Sequence, residues 1–397
     1  MRHQRQEGEV GEKPRRCRRR TREEPPVGGA DTEPPSATPL TTALLSSKLR
    51  RELQDTWNLA RMPGTRAAEP LAEELGAERA VDVPPFKVGT MEMYRRFPRQ
   101  YDLFMRRHDC RAVHEYLGSL VSSLQQPPRS SGAGEDSAAA ADAKRVVRVA
   151  DFGCGTGRIA SMLSRHPAVG ALYCYDSETP MLRECLKNVV RSVAEARRET
   201  CGVCICPRAT DHVAVDNHDN DNSALDTSAA AVCVGSTGVT AQSPAAVLLC
   251  VRPVSFGDVQ RGFLSTHPSC HLVVCAWSLS YVMRAQWGED RWHAAVDATL
   301  TALIGLLDTS GAAALVIIET LGTDTTEPRR NNTLPQRLEA LYGFERRWVR
   351  TDYNFRDVAE AVMLTRFFFG ESMARRMAAE ERTALPECTG IWTLWRK

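Results

Sequence analysis

Residues 146–160 read VVRVADFGCGTGRIA, and this stretch decides the fold. An apolar, β-branched run ends at Asp151, a helical apolar pattern opens at Ile159, and between them lie the glycines at positions 153, 155 and 157. Because glycine has no side chain, a glycine turn between a strand and a helix lets the backbone approach a ligand closely. The stretch therefore predicts a nucleotide-binding cradle. A turn with no ligand and a variant of the dinucleotide-binding turn are the alternatives.

A second signal follows in residues 171–176, ALYCYD, which form a short apolar run that ends in an acid. Asp176 lies about 20 residues beyond the glycine turn, where a carboxylate can accept hydrogen bonds from both hydroxyls of a ribose. Thr179 and Pro180 are typical of the cap and the first residue of a helix, so a helix is predicted to follow.

Together, these two segments resemble motif I and the second-strand segment of the class I S-adenosylmethionine (SAM) methyltransferases. The resemblance implies a seven-stranded sheet and SAM as cofactor. It also implies that Asp151 contacts the cofactor's amino group, directly or through water, and that Asp176 binds its ribose. The turn at Gly153, Gly155 and Gly157 would then shape the site for the methionine moiety.

Two further residues carry the same resemblance. Residues 176–182 match the pattern D-x-x-x-x-M-L, in which the residue at the position of Met181 often packs against the adenine. Tyr101-Asp102 resembles a Tyr-Asp pair near the start of many small-molecule methyltransferases, whose aromatic ring helps to close the cofactor site. Core packing of Tyr101 is the alternative.

The acid on the adenine side has two candidates. Residues 246–251 predict the third strand and 271–277 the fourth, with Asp258 between them as the predicted acid. The alternative places the third strand at residues 203–207, with Asp211 as the acid.

Strands alternate with helices along the rest of the chain. Strands are predicted at residues 312–319, 344–349 and 390–395, and helices at 292–307, 335–342 and 359–369, with an active-site rim loop at 320–332. This alternation predicts an α/β, Rossmann-like, mostly parallel sheet with helices on both faces. A closing strand near residue 390 favours the methyltransferase sheet over a six-stranded dinucleotide fold.

Composition divides the chain into further regions. Residues 1–80 are rich in charge and proline and predict a disordered basic tail, with a weak helix around residues 41–58. Residues 81–125 predict a helical cap, 126–145 a linker, and 146–397 the methyltransferase core, interrupted by a low-complexity insertion at 208–245.

The acceptor site is harder to recognise from the sequence than the cofactor site. Methyl transfer depends on the alignment of donor and nucleophile, so no particular residue type identifies the acceptor site. No catalytic residue is assigned. Trp277, Tyr281, Glu319 and Tyr353 are the predicted lining residues of the acceptor pocket. Residues 319–322, ETLG, and 350–353, RTDY, resemble segments of an uncharacterised branch of the superfamily.

The fourth strand lacks the Asn-Pro-Pro-Tyr type of motif, and the folded core lacks an evident basic stripe, so a small-molecule acceptor is favoured. RNA, delivered by the basic cluster at residues 15–20, is an alternative. A protein acceptor and a non-catalytic binding or scaffold module are the others. Cys201, Cys204 and Cys206 do not form two separated pairs, so no metal is predicted.

The length, net charge and cysteine count of the chain limit these interpretations. The chain has 397 residues and a formal net charge of +2, with no apolar stretch long enough for a membrane span. Its 13 cysteines are an odd number scattered through predicted elements, which favours reduced thiols in the cytoplasm, or alternatively the nucleus. No membrane partner is expected, and the oligomeric state is not indicated.

Overall fold

The computed structural model describes residues 47–60, 82–125, 145–196, 202–204, 230–235, 247–262, 265, 267–286, 291–329 and 333–396. All of them belong to one unit, Pro39–Lys397. Most of the predicted tail, nearly all of the predicted linker and much of the predicted insertion, including Asp211, lie outside these residues. Predictions about those segments stay predictions.

One sheet organises the fold, in the strand order β3-β4-β5-β2-β1-β6-β7-β11-β8. Its strands are β1 Val147–Phe152, β2 Val169–Asp176, β3 Gly202–Cys204, β4 Ala230–Gly235, β5 Val247–Pro253, β6 Leu272–Ala276, β7 Ala313–Thr323, β8 Glu345–Arg350 and β11 Glu387–Arg396. A small second sheet pairs β9 Tyr353–Asn354 with β10 Ala384–Leu385. The first sheet contains the seven strands that the sequence predicts, with β3 and β4 added at one edge.

Strand direction confirms the predicted sheet. β5, β2, β1, β6 and β7 run parallel, while β11 pairs antiparallel with both β7 and β8. The central strands are apolar almost throughout and buried, as expected for a parallel sheet covered on both faces. The last strand therefore enters between its two neighbours in the opposite direction.

Helices cover both faces. They are α1 Ser47–Ala60, α2 Thr90–Arg96, α3 Pro98–Met105, α4 Arg111–Leu124, α5 Arg158–Arg165, α6 Thr179–Ala196, α7 Phe256–Gln260, α8 Leu279–Ala285, α9 Trp292–Gly305, α10 Thr333–Tyr342, α11 Val358–Phe368 and α12 Glu371–Ala379. One apolar core joins the sheet to α1, α4, α5 and α6, and a second joins it to α9 and α10. A third core packs α2 and α3, which lie within the predicted cap at residues 81–125, against α11 and α12.

Two predictions about elements are wrong, and one alternative is excluded. β7 continues through Thr323, because β11 pairs with it as far as Glu387, so the predicted rim loop begins later than residue 320. β3 lies at the sheet edge, and β5 is the strand beside β2, so the alternative third strand at 203–207 is excluded. β4 lies within the predicted insertion, where it pairs antiparallel with β5.

The weak helix predicted within the tail around residues 41–58 is observed as α1. α1 packs against α6, with Leu49 and Leu53 buried in the first core. Lys187 Nζ lies 3.0 Å from Glu52 Oε2 and joins the two helices by an ion pair. The apolar residues of α1 are few but share one face, so packing against the core stabilises a helix that its composition alone would not.

Among the residues that the structure describes, no helix combines the length and apolar character that crossing a membrane requires.

Candidate functional site

A cavity of about 610 Å³ opens at the carboxyl ends of the central strands. It lies where β1 neighbours both β2 and β6, the point at which the strand order reverses and open α/β sheets bind their ligands. The lining comes from the ends of β1, β2 and β6, from the segment after β5, and from the cap. The cap residues on the lining are Met91, Tyr94, Tyr101 and Met105.

The glycine turn forms the floor of this cavity. Gly153 N–H and Cys154 N–H both donate to the Tyr175 carbonyl oxygen, at 2.7 and 3.0 Å, which fixes the turn against β2. Gly153 has φ of +69°, and a Cβ there would lie 2.3 Å from Ser278 Cβ. Gly157 has φ of +81°, and a Cβ there would lie 2.6 Å from Cys185 Sγ. Both positions therefore require glycine for conformation and for space.

Asp151 lines the cavity at the end of β1 and is only 1% exposed. Neither of its carboxylate oxygens has a hydrogen-bond partner among the described residues. Burial raises the pKa of Asp151 well above its usual range and the charges of Cys185 and Asp176 raise it further, while the Ala160 N–H and the charge of Arg158 oppose the shift. A buried carboxylate without a partner is costly, so this side chain is suited to a cationic group that a ligand brings into the cavity.

Asp176 lines the cavity at the end of β2. Its Oδ2 accepts the Gly155 N–H at 2.9 Å, and its Oδ1 accepts the Glu178 N–H at 2.9 Å. Burial raises the pKa of Asp176 to about 6, while these two hydrogen bonds oppose that shift. Each carboxylate oxygen retains acceptor capacity, so the acid can also accept hydrogen bonds from ligand hydroxyls.

Met181 and Tyr101 both lie beside Gly155 on the cavity lining. A Cβ built on Gly155 would lie 3.5 Å from Met181 Cε and 3.9 Å from Tyr101 Cε1. Tyr101 also packs edge-on against Tyr94, with ring centroids 5.2 Å apart, so it both lines the cavity and belongs to the packed cap.

Asp258 is outside the cavity, contrary to the prediction that it is the adenine-side acid. It sits in α7, where its Oδ2 accepts the Ser255 N–H at 2.8 Å and the Ser255 side chain accepts the Asp258 N–H. Arg261 pairs with its other oxygen. The carboxylate thus caps a helix, and the cavity is lined instead by its neighbours Ser255, Gly257 and Gln260.

The predicted acceptor residues separate into two groups. Trp277 and Tyr281 line the cavity as expected. The hydroxyl groups of Tyr281 and Tyr94 are hydrogen-bonded at 2.7 Å, which joins α8 to the cap. Trp277 has φ of +51°, a costly backbone conformation for a bulky residue.

Glu319 and Tyr353 do not line the cavity, contrary to prediction. Because β7 continues past Glu319, this residue lies within the strand, and its Oε1 accepts the Ser280 N–H at 2.8 Å at the start of α8. Burial raises the pKa of Glu319 to about 7. Tyr353 stacks between Phe104 and His108, with centroid separations of 4.7 and 4.4 Å.

Arg158 is a cavity residue that the sequence analysis missed. Its guanidinium carbon lies 4.1 Å from the centroid of the Trp277 ring, and its Nη1 donates to His108 Nδ1. The sequence did contain a sign that Arg158 has a special role. It is the first residue of α5, where the positive end of the helix dipole disfavours a cation.

Three buried thiols lie behind the glycine turn. The sulfur atoms of Cys154, Cys174 and Cys185 lie within 4.8 Å of one another, and all three side chains belong to the first apolar core. Cys204 is in β3, while Cys201 and Cys206 fall outside the described residues. The expectation that the chain binds no metal stays a prediction.

Comparisons with known proteins found similarity only among solved structures. No protein-family description matches the chain, and no curated protein does. The structure is similar to that of a functionally unknown protein from Deinococcus radiodurans R1, at 14% identity and a TM-score of 0.32, with coverage of 71% of this chain and 98% of the other.

Two further similar structures are titled SAM-dependent methyltransferases in complex with S-adenosylhomocysteine. The one from Geobacter sulfurreducens has 12% identity and a TM-score of 0.33, covering 75% of this chain and 97% of its own. The one from Thiobacillus denitrificans has 10% identity and a TM-score of 0.30, covering 82% and 98%. These values are too low to assign an activity, so any function must be inferred from the cavity itself.

The fold can be assigned from the sheet alone. Its parallel strands, its antiparallel last strand between β7 and β8, and its cavity at the strand ends are the features that the motif resemblance implies. The chain therefore has the Rossmann-like, seven-stranded fold of the class I SAM methyltransferases, extended at one edge by β3 and β4.

Proposed function

We propose that the chain is a SAM-dependent methyltransferase that acts on a small molecule. One observation carries this proposal: Asp151 and Asp176 end two adjacent parallel strands, flank a glycine turn and line the same cavity. SAM presents an ammonium group at one end and a ribose diol beyond the sulfur, so the two carboxylates match two of its polar groups.

The pairing of roles follows from the environment of each acid. Asp151 has no internal hydrogen-bond partner among the described residues and gains most from a cation. Asp176 is already held by two backbone N–H groups and keeps a fixed orientation toward a diol. We therefore assign the ammonium group to Asp151, the ribose to Asp176, and the side of the adenine to Met181.

When bound, SAM supplies an activated methyl group on a sulfonium, which an acceptor displaces in line. The contribution of the chain is to align donor and acceptor and to exclude water, which can supply roughly 7 to 11 kcal/mol. Trp277, Tyr281 and Tyr94 would form the acceptor end. A general base is required only if the acceptor must lose a proton, and we assign none.

The size and lining of the cavity favour a small acceptor. A volume of about 610 Å³ lies within the range of about 300 to 1,000 Å³ that is typical of small-molecule sites. The cap covers the cavity with aromatic and apolar side chains, which suits a partly apolar ligand. The eight cysteines whose side chains the structure describes are free thiols, which supports a cytoplasmic location.

Isothermal titration calorimetry of the full chain with S-adenosylhomocysteine tests cofactor binding. We expect saturable binding to a single site. If Asp151 is protonated before binding and ionised afterwards, binding also releases a proton, and the measured enthalpy will depend on the ionisation enthalpy of the buffer. A folded sample that shows no binding at millimolar ligand would exclude the proposed function.

The acceptor class requires a second experiment. The full chain and a variant that begins at Pro39 would each be offered radiolabelled SAM with a metabolite extract, total RNA and a protein extract. The shorter chain retains α1 but lacks the basic cluster. Equal labelling of the metabolite fraction by both supports a small-molecule acceptor. Labelling of RNA that is lost in the shorter chain would favour an RNA methyltransferase instead.

A further inference from the structure

Three thiols from separate elements converge behind the glycine turn. Cys154 belongs to the turn itself, Cys174 to β2 and Cys185 to α6, and their sulfur atoms all lie within 4.8 Å of one another. Among the residues that the structure describes, they form the only group of three or more His, Cys, Asp or Glu side chains that could hold a metal ion. The other cysteines with described side chains do not join a group of this kind.

The spacing of these sulfur atoms is close to that of a three-coordinate metal site. A first-row metal ion lies about 2.3 Å from a thiolate sulfur, so three sulfurs in a plane around one ion are about 4 Å apart. The sulfurs of the group therefore need to approach one another by about 1 Å or less. Rotation of the side chains can supply a displacement of this size.

The charges around the group also suit a cation. Hydrogen bonds with the Cys154 and Cys174 thiols hold the pKa of Cys185 below its usual range, although burial opposes this. The thiolate is the form of cysteine that binds metal. Asp151 is the partner of Cys174 in the parallel pair of β1 and β2. Burial and the charge of Cys185 raise the pKa of Asp151, and the charge of Arg158 offsets this only in part, so a cation at the thiols would relieve a local excess of negative charge.

The donor set favours a soft monovalent ion. All three donors are sulfur, and no fourth ligand joins the group among the described residues. Zinc prefers four ligands in a tetrahedron, whereas monovalent copper is selected by soft sulfur ligands and accepts three of them. Monovalent copper also needs only one thiolate for electroneutrality, which matters because uncompensated charge in an apolar core is costly.

Entry to the group is from the side of the cavity. Cys154 lines the cavity and is 8% exposed, whereas Cys174 and Cys185 have no exposed surface. An ion that enters the empty cavity therefore meets Cys154 first and reaches the other two sulfurs when the turn opens locally.

We propose that Cys154, Cys174 and Cys185 form a binding site for monovalent copper. The bound ion would cross-link the glycine turn, β2 and α6. This inference does not depend on the proposed function, because it requires neither a cofactor nor a methyl acceptor. It departs from the expectation that the chain binds no metal, which was based on the three cysteines within residues 201–206.

The test uses the full chain with the cysteines outside the described set of side chains replaced by serine, because these could bind copper on their own. The replaced residues are Cys17, Cys201, Cys204, Cys206 and Cys233. Thermal melts would first establish that this background chain is folded. Copper(I) would then be supplied without oxygen in competition with the chelator bicinchoninate, and we expect the background chain to retain one ion per molecule.

Cys174→Ser and the control Cys275→Ser would be compared in this background. Cys275 is equally buried but lies in the second core, where its Sγ is 3.1 Å from the Ser278 hydroxyl oxygen. We expect Cys174→Ser to lower copper affinity by about a hundredfold or more, since even a group that only orients a ligand contributes about tenfold to a hundredfold. Cys275→Ser should bind copper as the background chain does. Copper should raise the Tm of the background chain and of the control but not that of Cys174→Ser.

X-ray absorption spectroscopy of the copper-loaded background chain keeps the test decisive even if Cys174→Ser does not fold. Three sulfur neighbours at about 2.3 Å from the copper are expected. Only two sulfur neighbours, or equal copper retention by a folded Cys174→Ser, would overturn the three-thiol site. A folded background chain that retains no copper would also overturn it, and would show that the thiols serve only as apolar packing.

Discussion

The two ends of the cavity are built in different ways. The end with the glycine turn uses residues 151–181, which are contiguous in sequence and held by backbone hydrogen bonds from one strand to the next. The opposite end combines Tyr94 from the cap with Trp277 and Tyr281 from the segment after β6, and a ring contact and a hydroxyl pair join Tyr94 to Tyr281. Local sequence therefore specifies the first end, and tertiary packing specifies the second.

This contrast predicts that substitutions at the two ends of the cavity affect different measured properties. Changes at the glycine-turn end should act on cofactor affinity, because its acids point to a ligand through a rigid backbone. Changes at the opposite end should act on acceptor kinetics and on the packing of the cap. The following substitutions test that separation.

Asp176→Ala should have the largest effect. It removes the acceptor for the ribose, the hydrogen bond from Gly155 in the glycine turn and the hydrogen bond from Glu178 ahead of α6. We expect affinity for S-adenosylhomocysteine to fall by about a hundredfold or more, measured by calorimetry. Asp258→Ala is the matched control, since that acid caps α7 outside the cavity and its loss should leave affinity unchanged. Equal losses in both variants would mean that Asp258 reaches the cofactor after all.

Asp151→Asn should weaken cofactor binding by about tenfold to a hundredfold, while stabilising the empty chain. The buried carboxyl has a folded pKa above its unfolded value of about 4, so its contribution to stability is lost as pH rises above that value. The variant should therefore exceed the wild type by about 1 to 3 kcal/mol in unfolding free energy at pH 8. The difference should vanish near pH 4.

Denaturant unfolding of the ligand-free chain at several pH values measures the difference in unfolding free energy between Asp151→Asn and the wild type. A variant less stable than the wild type at pH 8 would show that Asp151 has an internal partner in solution, and would remove the reason for assigning it to an ammonium group.

Tyr94→Phe and Tyr281→Phe should be coupled through their shared hydroxyl bond. We expect a coupling energy of about 1 kcal/mol in unfolding free energy from the double-mutant cycle. Affinity for S-adenosylhomocysteine should stay near the wild-type value, while KM for the acceptor rises once an acceptor is known. Strictly additive effects of the two substitutions would indicate that the cap is not joined to α8 by this bond.

Tyr353→Phe should have the smallest effect. The ring is stacked between Phe104 and His108 and does not line the cavity, so its hydroxyl is not expected to contact either ligand. Cofactor affinity and turnover should remain at wild-type levels, as measured by calorimetry and by initial rates. A large loss of turnover would place Tyr353 in the acceptor site, as the sequence suggested.

The successes and failures of the sequence predictions follow the same division. Asp151, Asp176 and Met181 were predicted from fixed spacings around one turn, and all three line the cavity, while their roles toward a cofactor stay predictions. Asp258 was misassigned although Ser255 precedes it by three positions, which is the spacing of a capping box. Glu319 was misplaced because sequence alone does not show that β11 prolongs β7 by pairing with it.

Arg158 was overlooked for a different reason. Its neighbours Trp277 and His108 are distant in sequence, and no spacing rule connects them. The local sign was electrostatic: a cation at the first position of a helix is unfavourable and therefore requires an explanation elsewhere in the structure. Such departures from helix preference are a useful guide when motifs are silent.

The docking of α1 on α6 makes this helix resemble a ligand that is covalently tied to its own receptor. Its intrinsic affinity for α6 need only be modest, because covalent linkage makes the contact intramolecular. A chain that starts at residue 81 would lack Leu49 and Leu53 and would expose the apolar core surface that they cover. A synthetic peptide of residues 47–60 should bind that shortened chain in trans and restore its thermal stability.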